Sequence, residues 1–302
     1  MRLVPKLDLA RPSRRYILGY LLLAPALIMV AAIIIYPLLI SLDLSFQNVK
    51  LARIGAARKP FTLGNYEKLL FSPDFWMACW VTLKLVLVVA SACLVIGLGS
   101  ALLVNNRFKG RTMARLLMAL PWAVPEVIAV VIFAWIFDSS FGFLSWLFIQ
   151  IGLADEMITW VSDPSAAFWA VALTMIWKGF PFVSIMTLAG LQSIPEDYYA
   201  AAKVDGASVF QRFRWITLPS LVPVLGVTLV LVVLWVFRDF SIIKVLTDGG
   251  PLKATTTLSI MTYDQAFGFF KFGYASAIGV VTLVICIVAS LLMLRREDKS
   301  LM

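Results

Sequence analysis

The stretch WMACWVTLKLVLVVASACLVIGLGSALLV, residues 76–104, decides the fold of this chain. Lys84 is the one charged residue in it. A membrane-spanning α-helix needs about 20 consecutive, mostly apolar residues. The run therefore predicts a transmembrane helix.

Five further segments on either side of this run are also long and apolar enough to span a bilayer. They are residues 17–42, 113–137, 166–191, 221–245 and 274–294. The chain of 302 residues is 61% hydrophobic and only 14% charged, whereas a soluble domain carries about a quarter charged residues. The sequence therefore predicts an all-α integral membrane protein with six transmembrane helices.

Lysine and arginine are concentrated in alternate connections, which predicts the orientation in the membrane. They are Arg2, Lys6, Arg11, Arg14 and Arg15 in the N-terminal tail, Arg107, Lys109, Arg111 and Arg115 in the second connection, Lys203, Arg212 and Arg214 in the fourth, and Arg295, Arg296 and Lys299 in the C-terminal tail. Cytoplasmic loops carry such an excess. We therefore expect both termini in the cytoplasm of a bacterial cell, with the chain in its cytoplasmic (inner) membrane.

The third connection carries acidic residues and no basic ones, so we expect it outside the cell. Its acids are Asp138, Asp155, Glu156 and Asp163. The first connection weakens the pattern, because it holds Lys50, Arg53, Arg58, Lys59 and Lys68. The net charge of +9 is thus accounted for by the membrane, and no nucleic-acid partner is expected.

Several kinds of site are absent from the sequence. There is no histidine, and the three cysteines (Cys79, Cys93 and Cys286) lie in apolar runs without metal-ligand spacing. A Gly-x-x-x-x-Gly-Lys-Ser/Thr phosphate loop is also missing, so the chain is not expected to hydrolyse ATP by that route. We expect no catalytic residue, metal or cofactor on this chain, and the first apolar run reads as a retained helix rather than a cleaved signal peptide.

We divide the chain into three parts. Residues 1–72 hold the N-terminal tail, the first transmembrane helix and an extracytoplasmic loop. Residues 73–295 form a core of five transmembrane helices, and residues 296–302 form a cytoplasmic tail.

The fourth connection, residues 193–219, contains strong local helix signals. Ser193 and Glu196 fit a capping box with Pro195 in the first turn, and the helix should stop near Gly206, which can take positive φ. Ser208 begins a second capping box, with Gln211 as its partner, and Pro219 is expected to end that second helix. Two short helices at an angle are predicted.

This connection can be interpreted in two ways. It can be a solvated link, or it can be a knob that docks into a partner. A run of three alanines allows close approach, and a link without a partner should not expose several large apolar side chains. Those side chains are Val209, Phe210, Phe213 and Trp215.

The same connection resembles the cytoplasmic "EAA" loop of binding-protein-dependent ABC importer permeases, written E-A-A-x-x-x-G and then I-x-L-P. It stands here as Ala200-Ala-Ala-Lys-Val-Asp-Gly206 and Ile216-Thr-Leu-Pro219. Ala200 replaces the family's glutamate, so the charged contact of that glutamate does not carry over. Residues 120–125, 246–251 and 267–277 also look like family motifs, in the carbohydrate-uptake branch that contains the maltose and glycerol-phosphate importer permeases.

The resemblance, over residues 15–295, implies a type I ABC importer permease fold with cytoplasmic coupling helices. It implies a second permease subunit (usually a different homologue), two cytoplasmic ATPase subunits that hold ATP and Mg, an extracytoplasmic solute-binding protein, and surrounding membrane lipid. The chain would be a transport subunit and not itself an enzyme. The implied ATPase-coupling residues are Tyr199, Ala200, Ala201, Ala202, Asp205, Gly206, Ala207 and Phe213.

Five ionisable residues lie inside the predicted spans, where each costs about 2.5–3.5 kcal/mol to insert. They are Lys84, Glu126, Lys178, Arg238 and Asp239. One interpretation is internal ion pairing, of Glu126 with Lys178 and of Arg238 with Asp239 or Glu126, while Lys84 extends to the outer boundary. The other is a solute site. Pro121 and Pro125 free backbone carbonyls, which suggests a broken helix that lines a wet cavity.

The family resemblance favours the solute site for several of these positions. The candidate substrate-binding residues are Trp122, Glu126, Trp177, Lys178, Gly179, Val236, Arg238 and Asp239. Trp122 would stack on a sugar ring, Glu126 and Asp239 would accept hydroxyl hydrogen bonds, and Lys178 would donate. The implied solute is a sugar, oligosaccharide or glycoside, and an anionic one remains open because of Lys178 and Arg238.

Two functions of other classes remain as alternatives. A secondary transporter driven by an ion gradient would show two related halves with a discontinuous helix in each, and we find no such pair. A membrane-embedded lipid-modifying enzyme would need a nucleophile with a base, or a metal cluster, and neither pattern is present in the sequence.

Overall fold

The computed structural model describes residues 12–49 and 61–298, and within these ranges the chain is helical with no β-strand. Eight of the basic residues counted above lie outside the described ranges. They are Arg2, Lys6, Arg11, Lys50, Arg53, Arg58, Lys59 and Lys299.

The described α-helices follow one another along the chain with short connections. They are α1 (Pro12–Val30), α2 (Tyr36–Ser45), α3 (Gly64–Leu70), α4 (Pro73–Asn105), α5 (Arg111–Ala123), α6 (Glu126–Ile136), α7 (Phe143–Gln150), α8 (Pro164–Ser193), α9 (Glu196–Val204), α10 (Val209–Arg212), α11 (Leu218–Arg238), α12 (Ser241–Leu246), α13 (Leu258–Tyr263) and α14 (Phe272–Asp298). π-Helical turns at Ala31–Ile35 and Phe213–Thr217 join α1 to α2 and α10 to α11.

Five continuous helical segments in the described chain are long and apolar enough to cross a membrane. They are Gly19–Ser45, Pro73–Asn105, Pro164–Ser193, Val209–Arg238 and Phe272–Met293. The pair α5 and α6 makes a sixth span when counted as one, with a bend of 96° between its halves. The all-α membrane fold is confirmed, with five or six spans by this count.

The bend in this broken span, Arg111–Ile136, has a local cause. Val124 is extended, with φ −66° and ψ 130°, because the ring of a following proline disfavours the helical conformation for the residue before it. Pro125 also has no N–H to continue the hydrogen-bond ladder. The expected broken helix is confirmed, and the break lies at Val124 and Pro125.

The centre of the fold is the parallel pair α4 and α8, held by small and polar residues. A Cβ atom on Gly97 would lie 2.6 Å from the Val183 side chain, so only glycine allows the two backbones to approach this closely. The Ser100 and Ser184 hydroxyls form a hydrogen bond of 2.6 Å between the helices. Small residues and interhelical hydroxyl bonds are the usual means of packing helices in lipid.

The first span contacts the rest of the protein through its second half. Its 18-residue apolar window contains no buried residue. At its end, the Asn65 amide donates to the carbonyls of Ser45 and Gln47, at 2.9 Å each, and α14 begins against the same turn, where a Cβ on Gly273 would lie 1.9 Å from the Gln47 oxygen. The division into residues 1–72, 73–295 and 296–302 stays a prediction.

Two expected helix ends are wrong. The fifth span was expected to reach residue 245 but ends at Arg238, because Asp239 is extended (φ −60°, ψ 129°) and the separate helix α12 follows. Pro219 does not end a helix. It lies in the first turn of α11, and the π turn at Phe213–Thr217 carries the helix through from α10.

Candidate functional site

A cavity of about 420 Å³ opens between α4, the broken span, α8 and the end of α11. Val89 lies near the midpoint of α4 and Lys178 near the midpoint of α8, so the cavity lies at mid-membrane depth. Seven of the eight predicted substrate-binding residues line it: Trp122, Glu126, Lys178, Gly179, Val236, Arg238 and Asp239. The predicted residues are thus brought together, while their role in binding solute stays a prediction.

The break in the third span places two of these side chains at the cavity. Trp122 lies in the last turn of α5 and is 50% exposed, and Glu126 is the first residue of α6 and also exposed. A carboxylate at the N-terminus of a helix is stabilised by the helix dipole. No described residue forms a salt bridge or hydrogen bond with Glu126, so its carboxylate can accept bonds from a ligand.

Lys178 crosses from α8 to the end of α5. Its ammonium donates to the carbonyl oxygens of Pro121 at 3.2 Å and Trp122 at 3.0 Å, and also contacts the carbonyl of Val124. The expected ion pair with Glu126 is wrong, because no salt bridge joins the two residues in the described chain. The role of Lys178 as a free donor to solute is not supported by this arrangement.

Arg238 and Asp239 have different surroundings, although they are adjacent in sequence. The guanidinium of Arg238 lines the cavity and has no hydrogen-bond or salt-bridge partner among the described residues. One carboxylate oxygen of Asp239 accepts a bond of 3.3 Å from the Ile242 N–H, and its backbone carbonyl accepts one of 2.6 Å from Ser259. Asp239 therefore also fixes the start of α12, and the expected salt bridge between it and Arg238 is not formed.

Trp177 is the predicted residue that the fold places elsewhere. It does not line the cavity, and its ring packs edge-to-face on Phe133 with centroids 5.2 Å apart. It is part of the core around α4 and α8. Adjacent residues of a helix point about 100° apart, and here the Trp177 side chain faces Phe133 of α6 while Lys178 faces the cavity.

The sequence interpretation missed Trp235 as a cavity residue. It lines the cavity together with Trp122, and Phe182 packs against both rings, at 4.6 Å from Trp235 and 6.3 Å from Trp122. Trp235 precedes Arg238 by three residues, which places both on one side of α11. That spacing is the signal that could have identified it.

Lys84 lies apart from the predicted solute site. Its ammonium lies 4.1 Å from the centre of the Phe168 ring, and it does not line the cavity. The attraction between a cation and an aromatic face partly offsets the free energy that the cation loses when it leaves water. Lys84 is therefore held by an aromatic contact between α4 and α8.

The second functional region is the knob, which we define as α9, the Gly206 turn and α10. Gly206 has φ +76°, its N–H bonds to the Lys203 carbonyl at 3.1 Å, and the Ala207 N–H bonds to the Ala202 carbonyl at 2.8 Å. These two bonds form a Schellman motif, which ends a helix with a residue of positive φ. The predicted helix stop at Gly206 is confirmed.

Of the two predicted capping boxes, one is present. Ser208 and Gln211 form both reciprocal bonds, at 2.7 Å and 3.2 Å. The box at Ser193 is wrong: α8 extends to Ser193, whose hydroxyl bonds back to the Gly190 carbonyl at 2.8 Å, and Pro195 takes the N-cap position of α9. Ser193 belongs to the last turn of α8 and its hydroxyl is already bonded there, so it does not cap α9.

The knob exposes several large apolar side chains. Phe210 is 73% exposed, Trp215 just beyond it is 72% exposed, and Val209 is similarly open. Of the predicted coupling residues, Ala200, Ala201, Asp205 and Gly206 are exposed, while Tyr199, Ala202, Ala207 and Phe213 are half-buried. The Tyr199 hydroxyl forms a hydrogen bond of 2.9 Å with Thr217, which joins α9 to the base of α11.

Comparisons with known proteins give one consistent result. Residues 93–298 match the family described as binding-protein-dependent transport system inner membrane component. The chain is 38% identical over 269 residues to the trehalose/maltose transport system permease protein MalF of Thermococcus litoralis, covering 89% of each chain. It is also 38% identical over 285 residues to the sulfoquinovosyl glycerol transport system permease protein SmoG of Agrobacterium fabrum, covering 93% of this chain and 92% of that one.

The fold itself matches a solved structure. A chain in the crystal structure of a bacterial ABC transporter involved in the import of the acidic polysaccharide alginate superposes with a TM-score of 0.81 and 25% identity. The match covers 95% of this chain and 96% of that one.

Proposed function

This chain belongs to the family of binding-protein-dependent transport system inner membrane components, and from that membership we propose that it forms half of the membrane path of an ATP-driven sugar importer. The relatives are permeases named for trehalose and maltose, for sulfoquinovosyl glycerol and for diacetylchitobiose. A solved relative is described in complex with a periplasmic protein that holds an alginate pentasaccharide. The common cargo of these proteins is carbohydrate, so the proposed solute is a sugar, oligosaccharide or glycoside.

The observation that carries the proposal is the continuity of one helix. The segment Val209–Arg238 begins in the knob and ends at the cavity. At 1.5 Å per residue, its 30 residues extend over about 45 Å. Movement of the knob can therefore be passed to Arg238 and Trp235 without a hinge of loop residues.

The family membership implies the partners. The knob would dock on one of two cytoplasmic ATPase subunits, which hold ATP and Mg and carry out the hydrolysis. A second permease subunit, a different homologue, would complete the membrane path, and a binding protein outside the cell would deliver the solute. Both termini of this chain would lie in the cytoplasm.

In the cavity, the roles divide by chemistry. Trp122 and Trp235 offer aromatic faces on which a sugar ring can stack. Glu126 and Asp239 would accept hydrogen bonds from hydroxyl groups, and Arg238 would donate to hydroxyl or acidic oxygens of the solute. Gly179 and Val236 would leave room beside them.

The test uses the complete complex in nanodiscs with its binding protein. The binding protein is loaded with maltose, trehalose, diacetylchitobiose, sulfoquinovosyl glycerol or alginate oligosaccharide, and both ATP hydrolysis and uptake into vesicles are measured. We expect at least one sugar to stimulate both, and Glu126→Gln and Asp239→Asn to lower the stimulated rate. Lys84→Gln is the control, since Lys84 lies outside the cavity.

Two results would contradict the proposal. One is uptake by this chain alone in vesicles without an ATPase, which would indicate a secondary transporter. The other is wild-type sugar stimulation in both carboxylate variants.

For the docking step, a cysteine at Ala201 should crosslink to the ATPase subunit, while one at Lys109 serves as the control.

A further inference from the structure

Lys178 has no free donor in this structure. An ammonium has three N–H donors, and three backbone carbonyls surround this one, those of Pro121, Trp122 and Val124. All three carbonyls belong to the end of α5 and the residue that follows it. The side chain therefore joins the middle of α8 to the break in the third span.

These carbonyls need a partner because of the sequence of the break. In an intact helix the Pro121 carbonyl would accept from the N–H of residue 125, but Pro125 has none. The other two carbonyls lie where the ladder has ended, at the negative end of the helix dipole. A cation from a neighbouring helix satisfies all three at once.

The helix that carries Lys178 is well placed to hold it still. α8 packs against α4 through Gly97 and Val183, and a Cβ on Gly179, next to Lys178, would lie 3.1 Å from the Cys93 sulfur. The other cavity cation is Arg238, which forms no hydrogen bond or salt bridge among the described residues. The two cations therefore differ in what they contact.

We propose that Lys178 is a positioning residue, which braces the broken span and thereby orients Trp122 and Glu126, and that it does not bind the solute. The proposal rests on the proposed function in that the cavity serves a solute. Without the brace, three carbonyls lose their partner, and the end of α5 and Val124 lose the contact that holds them against α8. The angle between α5 and α6 is then set by the local break alone.

The experiment measures this angle directly and needs no solute. Nitroxide labels are attached to cysteines at Lys109, just before α5, and Ser139, just after α6, in the complete complex with Cys79, Cys93 and Cys286 replaced by serine. Their distance distribution is measured by pulsed electron paramagnetic resonance. We expect a narrow distribution for the parent protein, a shifted and broader one for Lys178→Met, and recovery in Lys178→Arg, whose guanidinium again supplies donors.

Arg238→Met is the matched comparison, because it removes the other cation of the same cavity, and its distance distribution should equal that of the parent. A parent-like distribution in Lys178→Met overturns the proposal. If Lys178→Met does not assemble, assembly becomes the measurement: recovery in Lys178→Arg supports the brace, and loss in both variants overturns it. The distance measurement uses no sugar, so a negative result would contradict the role of Lys178 and not the proposed import of sugar. A failure of sugar uptake would in turn leave the measured distances unaffected.

Discussion

The cavity and the knob lie at opposite ends of one helix, Val209–Arg238, and are built in different ways. In the knob, the decisive contacts join residues within five positions of each other, as in the Gly206 turn and the Ser208 cap. In the cavity, the decisive contacts join residues more than 50 positions apart, as between Lys178 and the end of α5. Local bonds shape the knob, and tertiary packing shapes the cavity.

This difference has a physical reason. The knob is exposed, so its helices must be started and stopped by their own side chains. The cavity lies at mid-membrane depth, where the carbonyls freed by the broken helix find a partner on another helix, Lys178 of α8. Changes in the knob should therefore alter docking and leave the cavity intact, and changes in the cavity should do the reverse.

The largest effect is expected from Gly206→Val. A residue with a branched Cβ at φ +76° is strained by about 1–2 kcal/mol, and the turn that angles the two knob helices should be lost. We expect the amount of ATPase subunit that co-purifies with this chain to fall roughly tenfold or more. Gly110→Val is the matched control, because Gly110 has φ +90° in another connection, and equal loss of ATPase in both variants would contradict the prediction.

Trp122→Ala tests the cavity side of the comparison. Removal of an aromatic stacking surface costs about 0.5–1.5 kcal/mol beyond the area lost, so sugar-stimulated ATP hydrolysis should fall by roughly five- to tenfold, while ATPase retention is unchanged. Trp135→Ala removes a more exposed tryptophan, in α6, that does not line the cavity. If both variants behave alike, Trp122 has no special role in solute contact.

A smaller effect is expected from Ser208→Ala. Loss of an N-cap serine costs about 1 kcal/mol, so amide hydrogen exchange in residues 209–212 should become roughly fivefold faster. Ser220→Ala is the control, since the Ser220 hydroxyl bonds only to the Ile216 carbonyl within its own helix. Unchanged exchange in Ser208→Ala would show that the partner, rather than the cap, orders α10.

The smallest effect is expected from Tyr199→Phe. The change keeps the ring and removes the hydroxyl that bonds to Thr217 at 2.9 Å, a net loss of about 0.5–1.5 kcal/mol. Amide exchange in α9 should rise a few-fold and transport should change little. Tyr198→Phe provides the comparison, because Tyr198 is exposed and its hydroxyl has no hydrogen-bond partner in the described chain. The same rise in amide exchange in Tyr198→Phe would argue against a stabilising role of the bond between Tyr199 and Thr217.

The sequence by itself determined the membrane fold, the break in the third span and the turn at Gly206. Each depends on information carried within about 20 residues: apolar length, a proline without an N–H, and a glycine that takes positive φ. For the same reason, the capping box at Ser208 was predicted correctly. The box at Ser193 was not, because the preceding membrane helix had already used that serine.

Only the tertiary structure decided which charged groups are satisfied and by what. Lys178 was expected to pair with Glu126 or to donate to solute, and instead it contacts three carbonyls of a helix 50 residues earlier. Trp177 was expected in the cavity and packs on Phe133, while Trp235 lines it. Helix rotation and the approach of α8 to α4 set these outcomes, and neither quantity is present in the spacing of residues along one helix.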